Sequence, residues 1–308
     1  KFNTKSVTVA RGRGRQMNAA VKKADSDFLL FLHADSKIDD QLLLCKAVQA
    51  LHGAIATAGS NNIAGHFRLK FIRTKAQNAM AYRNAEEKSA LNRPNTTNGD
   101  QGLLLSKNFF WSLGGFDESL PFLEDQRIAE KIRSCGEWIT LPGCILTSAR
   151  RLEREGFHRR YILISMLMGL YSIGELTFFD RAPGVYKAQH ETGRLMLSPF
   201  FEIIRLMMRC EWGMVGTFRV FYSLGRYVRQ NSWQMFFFFD IWARPILGPE
   251  RYPFMKFHDR FIAPLINLSV FNAFTGILCF IWFMGILAPF FRLQEYRKIK
   301  AMDRISYE

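Results

Sequence analysis

The sequence predicts an α/β fold followed by a helical, membrane-associated region, and three observations carry that expectation. The apolar run Phe28-Leu29-Leu30-Phe31-Leu32 stops at His33-Ala34-Asp35-Ser36, as a buried strand of a parallel sheet does when its carboxyl end meets a turn. Short apolar or alternating segments then recur between helix-like segments as far as about residue 155. Beyond Gly156 the composition shifts to long Met-, Phe- and Leu-rich stretches with interspersed Arg. The expected divisions are 1–155 for the α/β domain, 156–250 for an amphipathic helical region, and 251–308 for a membrane-inserted segment with a basic tail.

Ser6-Val7-Thr8-Val9 reads as a short β-branched strand. It leads into Arg11-Gly12-Arg13-Gly14-Arg15-Gln16-Met17-Asn18, with a helix expected from Ala19. Glycines admit a ligand to the backbone, arginines neutralise phosphate, and a helix amino terminus adds positive potential, so the loop can cradle a diphosphate. A solvated basic loop or a nucleic-acid contact has the same composition. Asp35 is open to two readings as well: a metal or ligand carboxylate at a strand end, or the opening of a turn before a helix near Asp39.

Asp40 to Leu51 has helical spacing, Gly65 to Phe71 alternates like a half-buried strand, and Thr74 to Ser89 reads as a helix. Asn92 to Asn98 reads as a polar surface loop ahead of Gly99-Asp100-Gln101-Gly102 and the strand Leu103-Leu104-Leu105. Ser106 suits a helix cap, and Gly114-Gly115 ends that helix. Glu124 and Asp125 fall at the start of a helix that Gly136 stops, where carboxylates cap and complement the dipole whether or not they do chemistry. Arg150-Arg151 closes the strand from Ile145; two arginines can clamp a diphosphate, or simply pair with Glu153 or Glu155.

Forty-two Lys and Arg against 27 Asp and Glu give a formal charge of +15, which calls for an anionic partner. The 48% hydrophobic content excludes a disordered chain. Five widely spaced cysteines form neither a zinc motif nor a disulfide framework, so a reducing compartment is expected. The first 15 residues are polar and basic with no apolar core behind them, unlike a signal peptide.

Taken in order, the Gly-Arg-Gly-Arg-Gln-Met-Asn loop, Phe31-Leu32-His33-Ala34-Asp35-Ser36, Gly99-Asp100-Gln101 with Gly114-Gly115-Phe116 and Leu123-Glu124-Asp125, and Thr147-Ser148-Ala149-Arg150-Arg151 resemble one family. The resemblance is to family-2 glycosyltransferases with the GT-A fold, in the subgroup carrying His-Ala-Asp and Ser-Ala-Arg-Arg, over about Val7 to Tyr171. It implies a nucleotide-sugar donor lying across the sheet's strand ends with Mg2+ or Mn2+ on its diphosphate. Asp35 would bind the metal with His33 beside it, and Asp125, or alternatively Glu124, would be the general base of an inverting transfer. Arg150 and Arg151 would stabilise the diphosphate. Gly14, Arg15 and Asn18 would line the nucleotide, with Asp100 and Gln101 near the donor sugar or acceptor. The family's Pro-x-x-Asn-Glu and Asp-Gly-x-Ser segments do not precede Gly14, so the chain is expected to begin inside the nucleotide-binding half.

Pro199 to Arg209 and Gly216 to Arg229 read as basic amphipathic helices of the kind that lie in a membrane interface. Residues from Phe261 to Phe291 carry no charge, longer than the roughly 20 residues that span a bilayer. Basic residues on both sides favour two cytoplasmic ends, which a broken or re-entrant hairpin would satisfy, and the run Trp233 to Phe239 could supply a second insertion. A cytosolic active site beside a bilayer would meet a lipid or lipid-linked hydroxyl acceptor. The competing expectations are a basic protein that binds nucleic acid or an anionic membrane, and an inactive fragment. Nucleic acid is the weaker of these partners because Asp35, Asp100, Glu124 and Asp125 are poor phosphate neighbours without a metal between them.

Overall fold

A computed structural model of the chain describes residues 5–187, 193–249 and 251–305, with side chains described up to residue 296. The chain divides into two compact units, Lys1–Arg150 and Arg151–Glu308.

The first unit is a mixed α/β layer structure. Its strands are β1 (Phe28–Phe31), β2 (Ser36–Lys37), β3 (Ile63–Ile72), β4 (Leu103–Ser106) and β5 (Glu137–Ser148), in the order β1-β4-β3-β5-β2. Only β3 and β5 run parallel; β1–β4, β3–β4 and β2–β5 are antiparallel. The expectation that Phe28–Leu32 lies inside a parallel sheet is therefore corrected. Residues 5–9 form no strand, so β1 is an edge with a single neighbour, and only Leu29 of its four residues is buried. The strand buried on both faces is β4, which reads as the continuous apolar run that such burial requires.

The helices are α1 (Arg13–Lys23), α2 (Leu43–Ala58), α3 (Ala79–Lys88), α4 (Lys107–Ser112) and α5 (Glu124–Cys135). Leu43, Ala47 and Leu51 of α2 pack one sheet face against Phe67, Leu104 and Ile145. Val21 of α1, Phe109 and Phe110 of α4, and Ile128 and Ile132 of α5 pack the other against Leu103 and Leu105. Alternate β4 side chains thus enter opposite cores, as the period of two dictates. Ser106 caps α4 as expected, its hydroxyl accepting from Phe109 N–H at 3.1 Å.

The second unit is helical: α6 (from Arg150, to Glu155), α7 (Phe157–Ser172), α8 (Thr177–Lys187), α9 (Ser198–Met207), α10 (Gly213–Gln230), α11 (Trp233–Trp242), α12 (Arg244–Leu247), α13 (Pro253–Phe257), α14 (Ala263–Ile266), α15 (Ser269–Phe280) and α16 (Ala288–Ile305). The long charge-free stretch is broken at Asn267 and Leu268, after which Ser269–Tyr296 is one helical run of 28 residues. It is the one helix among the described residues that is long and apolar enough to cross a membrane. Its most apolar window has a mean hydropathy of 2.1, and only 28% of that window is buried. Near its end Glu295 accepts backbone N–H groups from Leu197 and Ser198 at 2.9 and 3.0 Å, capping α9, and pairs with the buried Arg159. α10 and α15 touch backbone to backbone: a Cβ on Gly276 would lie 2.4 Å from the Phe221 carbonyl oxygen. The basic residues expected beyond Arg292 lie outside the residues whose side chains are described, apart from Arg292 itself.

Candidate active site

In the first unit a cleft of about 450 Å3, counting its open mouth, lies past the carboxyl end of β1. Phe31, Leu32 and His33 form one wall, Thr97 to Gly99 another, and Asp125, Ile128 and Ala129 of α5 a third, with Arg13 and Met17 of α1 at the side.

The arginine-glycine stretch is not a loop leading to a later helix, because α1 already begins at Arg13 with Gly12 before it at φ 148°. One helical stripe, Gly14, Asn18 and Val21, is therefore buried. Asn18 holds the loop after α4: its side-chain NH2 donates to Phe116 O and Glu118 Oε1, each at 2.9 Å, and its oxygen accepts from Phe116 N at 2.9 Å. A Cβ on Gly14 would meet Asp117 O at 2.8 Å. Arg15 is exposed and pairs with Glu118 at 3.3 Å. None of Gly14, Arg15 and Asn18 lines the cleft; Arg13, one residue earlier, does.

Arg13 is the hub of the polar contacts. One guanidinium nitrogen lies 2.7 Å from His33 Nε2, and the other 3.1 Å from Glu124 Oε1. A guanidinium only donates, so Nε2 accepts, and Nδ1–H donates to Asp100 Oδ1 at 2.7 Å. The hydrogen bond to Asp100 raises the His33 pKa, while burial and the charge of Arg13 oppose it. Both ring nitrogens are thereby engaged by protein partners. Gln101 is buried and directs its amide NH2 to Thr96 O at 2.7 Å, away from any ligand role at the surface. Thr96 and Thr97 are buried too, so the polar stretch before Gly99 is not wholly a surface loop.

Glu124 and Asp125 adopt different environments. Glu124 is 0% exposed, and neither carboxylate oxygen has a well-aligned hydrogen bond, the Arg13 contact being an ion pair only. Burial first, and the charge of Asp125 second, push its pKa up. Asp125 is half-buried and lines the cleft; Oδ2 accepts Gly99 N–H at 2.7 Å and Oδ1 accepts Gln126 N–H at 2.9 Å. The residue before the pair, Leu123, sits at φ 63°, a conformation that an apolar side chain rarely adopts and that fixes how the pair leaves the loop.

Asp35 lies beyond β1, exposed, with no hydrogen bond or ion pair to a described residue. Among the described residues no three His, Cys, Asp or Glu side chains assemble into a metal-binding group. One free carboxylate fits a Mg2+-type cation that takes its remaining oxygens from phosphate and water, and not a cage built by the protein alone. Arg150 is exposed at the end of the first unit. Arg151 belongs to the second unit, where it donates to Glu155 at 3.1 Å and to the Tyr186 hydroxyl, so of the two alternatives read for it the pairing with Glu155 is realised.

Arg13, Gly99 and Leu123 stand inside the quoted motifs, but motif reading gave them no role of their own. A helix starting at Arg13 puts residues 13 and 17 on one side, which was available from spacing once the start was set correctly. The left-handed turn at Leu123 leaves no trace in residue type. No protein-family model, curated protein or solved structure matches this chain.

Proposed function

We propose that the first unit is a GT-A-type glycosyltransferase that moves a sugar from a nucleotide-sugar donor to a hydroxyl acceptor with inversion. The observation that carries the reading is the cleft-facing carboxylate of Asp125, fixed by Gly99 N–H, beside the buried Glu124 and the cation of Arg13. In this reading Asp125 is the base. It takes the acceptor's hydroxyl proton while that oxygen attacks the anomeric carbon from the face opposite the diphosphate. The bond from that carbon to the diphosphate oxygen breaks, and the electron pair leaves with the nucleoside diphosphate. Glu124, shielded from the cleft, holds Arg13 toward the anionic substrate. A bound Mg2+ or Mn2+, held by Asp35 and the donor's phosphates, would neutralise charge on the departing group. The apolar 28-residue helix supports location at a membrane; the reading adds a lipid or lipid-linked acceptor and a cytoplasmic active site.

The test is calorimetric binding of uridine and guanosine diphosphate sugars to the detergent-solubilised chain, with and without Mn2+, and with Asp35→Asn. Binding that needs the metal and is lost in Asp35→Asn supports the reading. Metal-independent binding that survives the substitution, or none in a folded sample, overturns it.

A further inference from the structure

Helices α11 to α14 form a helical hairpin whose interior, built on Trp233, Phe237 and Ile241, is tied by a few buried polar groups, while its exterior carries many exposed apolar side chains. Inside, buried Asp240 of α11 accepts Phe254 and Met255 N–H at 2.9 and 2.8 Å, capping α13, and the Ser232 hydroxyl meets buried His258 Nε2 at 2.8 Å. The Phe237 and Tyr252 rings meet at 5.5 Å, tilted by 34°. Outside, Met235, Phe239, Phe257 and Phe261 are exposed, and at the turn Trp242 is 63% and Ile246 89% exposed. A hairpin that leaves this many large apolar side chains on solvent has not been built for water.

We propose that this hairpin lies in the interface of one leaflet of an anionic membrane, with its exposed apolar side chains turned into the lipid and neither arm crossing. This rests on the membrane reading above and adds a second, non-spanning element to it. Length excludes a crossing: α11 has ten residues, about 15 Å of helix, against a hydrocarbon core of about 30 Å. Charge selects the lipid. In the sequence of this stretch Arg244, Arg251, Lys256 and Arg260 outnumber Asp240, Glu250 and Asp259, and the chain as a whole carries +15. Trp242 supplies the ring type that settles at the headgroup level. Continuity supports the same occupant, since α14 ends only two residues before the apolar run that starts at Ser269.

The experiment uses the full chain with Cys45, Cys135, Cys144 and Cys210 replaced by Ser, reconstituted into vesicles of phosphatidylglycerol and phosphatidylcholine. A bimane is placed on Ile246→Cys, on Met235→Cys as a second exposed apolar position of the hairpin, or on Ser60→Cys of the first unit as an aqueous control. The proposal expects nitroxide lipids to quench 246 and 235, iodide quenching there several-fold below that at 60, and weaker lipid quenching when phosphatidylglycerol is omitted. Iodide quenching at 246 and 235 equal to that at 60, in protein that floats with the vesicles, overturns the hairpin and leaves the membrane reading standing. Protection from iodide without lipid quenching means that a protein covers the face, and also overturns it. Failure to float with vesicles removes both.

Discussion

Gly99 donates its backbone N–H to Asp125 Oδ2 at 2.7 Å, and a Cβ on residue 99 would lie 2.7 Å from that same oxygen and 2.9 Å from His33 Nε2. The absence of a side chain at 99 is what lets one backbone group hold the carboxylate beside the oriented imidazole. Gly99→Ala is expected to fold, because the displaced atoms are side-chain ends that can swing away. Its turnover should nevertheless fall by about 100-fold, since small misplacements at a reacting centre cost that much. Steady-state kinetics together with a thermal melt of both proteins check the separation.

Asp125→Asn removes the proposed base and keeps the Gly99 contact available to an amide oxygen. kcat should drop about 10²- to 10⁴-fold with donor binding retained. Glu124→Gln should act differently, weakening donor binding through Arg13 before it slows turnover. Measuring Kd and kcat for both substitutions distinguishes the two carboxylates.

Arg13→Ala leaves Glu124 buried beside Asp125 with no cation in contact. Donor binding is expected to weaken at least about tenfold, equivalent to about 1.4 kcal/mol. Arg13→Lys should recover little, because a single ammonium cannot reach His33 and Glu124 with the planar fork that now spans them. Calorimetry on the three proteins reads this directly.

Stability should fall with acid in a window set by His66. The side chain is fully buried in β3, and burial lowers its pKa from 6.5 to about 4. The unfolded chain then binds the extra proton first as pH drops. The contribution is complete above about 6.5, is lost progressively toward 4, and amounts to roughly 3 kcal/mol at most. Chemical denaturation at pH 7.5 and 4.5, compared between the wild type and His66→Gln, should show a smaller pH slope in the variant.

Gly276→Val should separate α10 from α15, since the new atoms meet the Phe221 carbonyl and not a yielding side chain. A loss of about 1–3 kcal/mol is expected by denaturation in detergent. An equal loss at Gly285, where a Cβ would find its nearest neighbour at 3.9 Å, would contradict the close crossing.

Much of the first unit's element order was legible because local pattern decides it. The β4 leucines are buried on both faces as a continuous apolar run should be, and Ser106 caps α4 as its residue type indicates. Sheet direction was not legible from β1, because an apolar run of four or five residues looks the same in a parallel centre and at an antiparallel edge. Of the two carboxylates that the family resemblance singled out, Asp125 lines the cleft and Glu124 does not. Sequence spacing could not assign Asn18, whose two-sided amide serves equally to bind a ligand or to pin a loop, as it does to Phe116. Arg151 has Glu155 as a partner one helical turn away, a pairing that the i, i+4 spacing makes available in the sequence.

The central claim is sugar transfer from a nucleotide donor with Asp125 as base. The most direct measurement is nucleoside diphosphate release from a panel of uridine and guanosine diphosphate sugars by the detergent-solubilised chain with lipid-extract acceptors and Mg2+ or Mn2+. Release from at least one donor that stops with a chelator and falls at least about 100-fold in Asp125→Asn is the predicted result. Release that is unchanged in Asp125→Asn, or no release from any donor by a folded sample, would contradict the account.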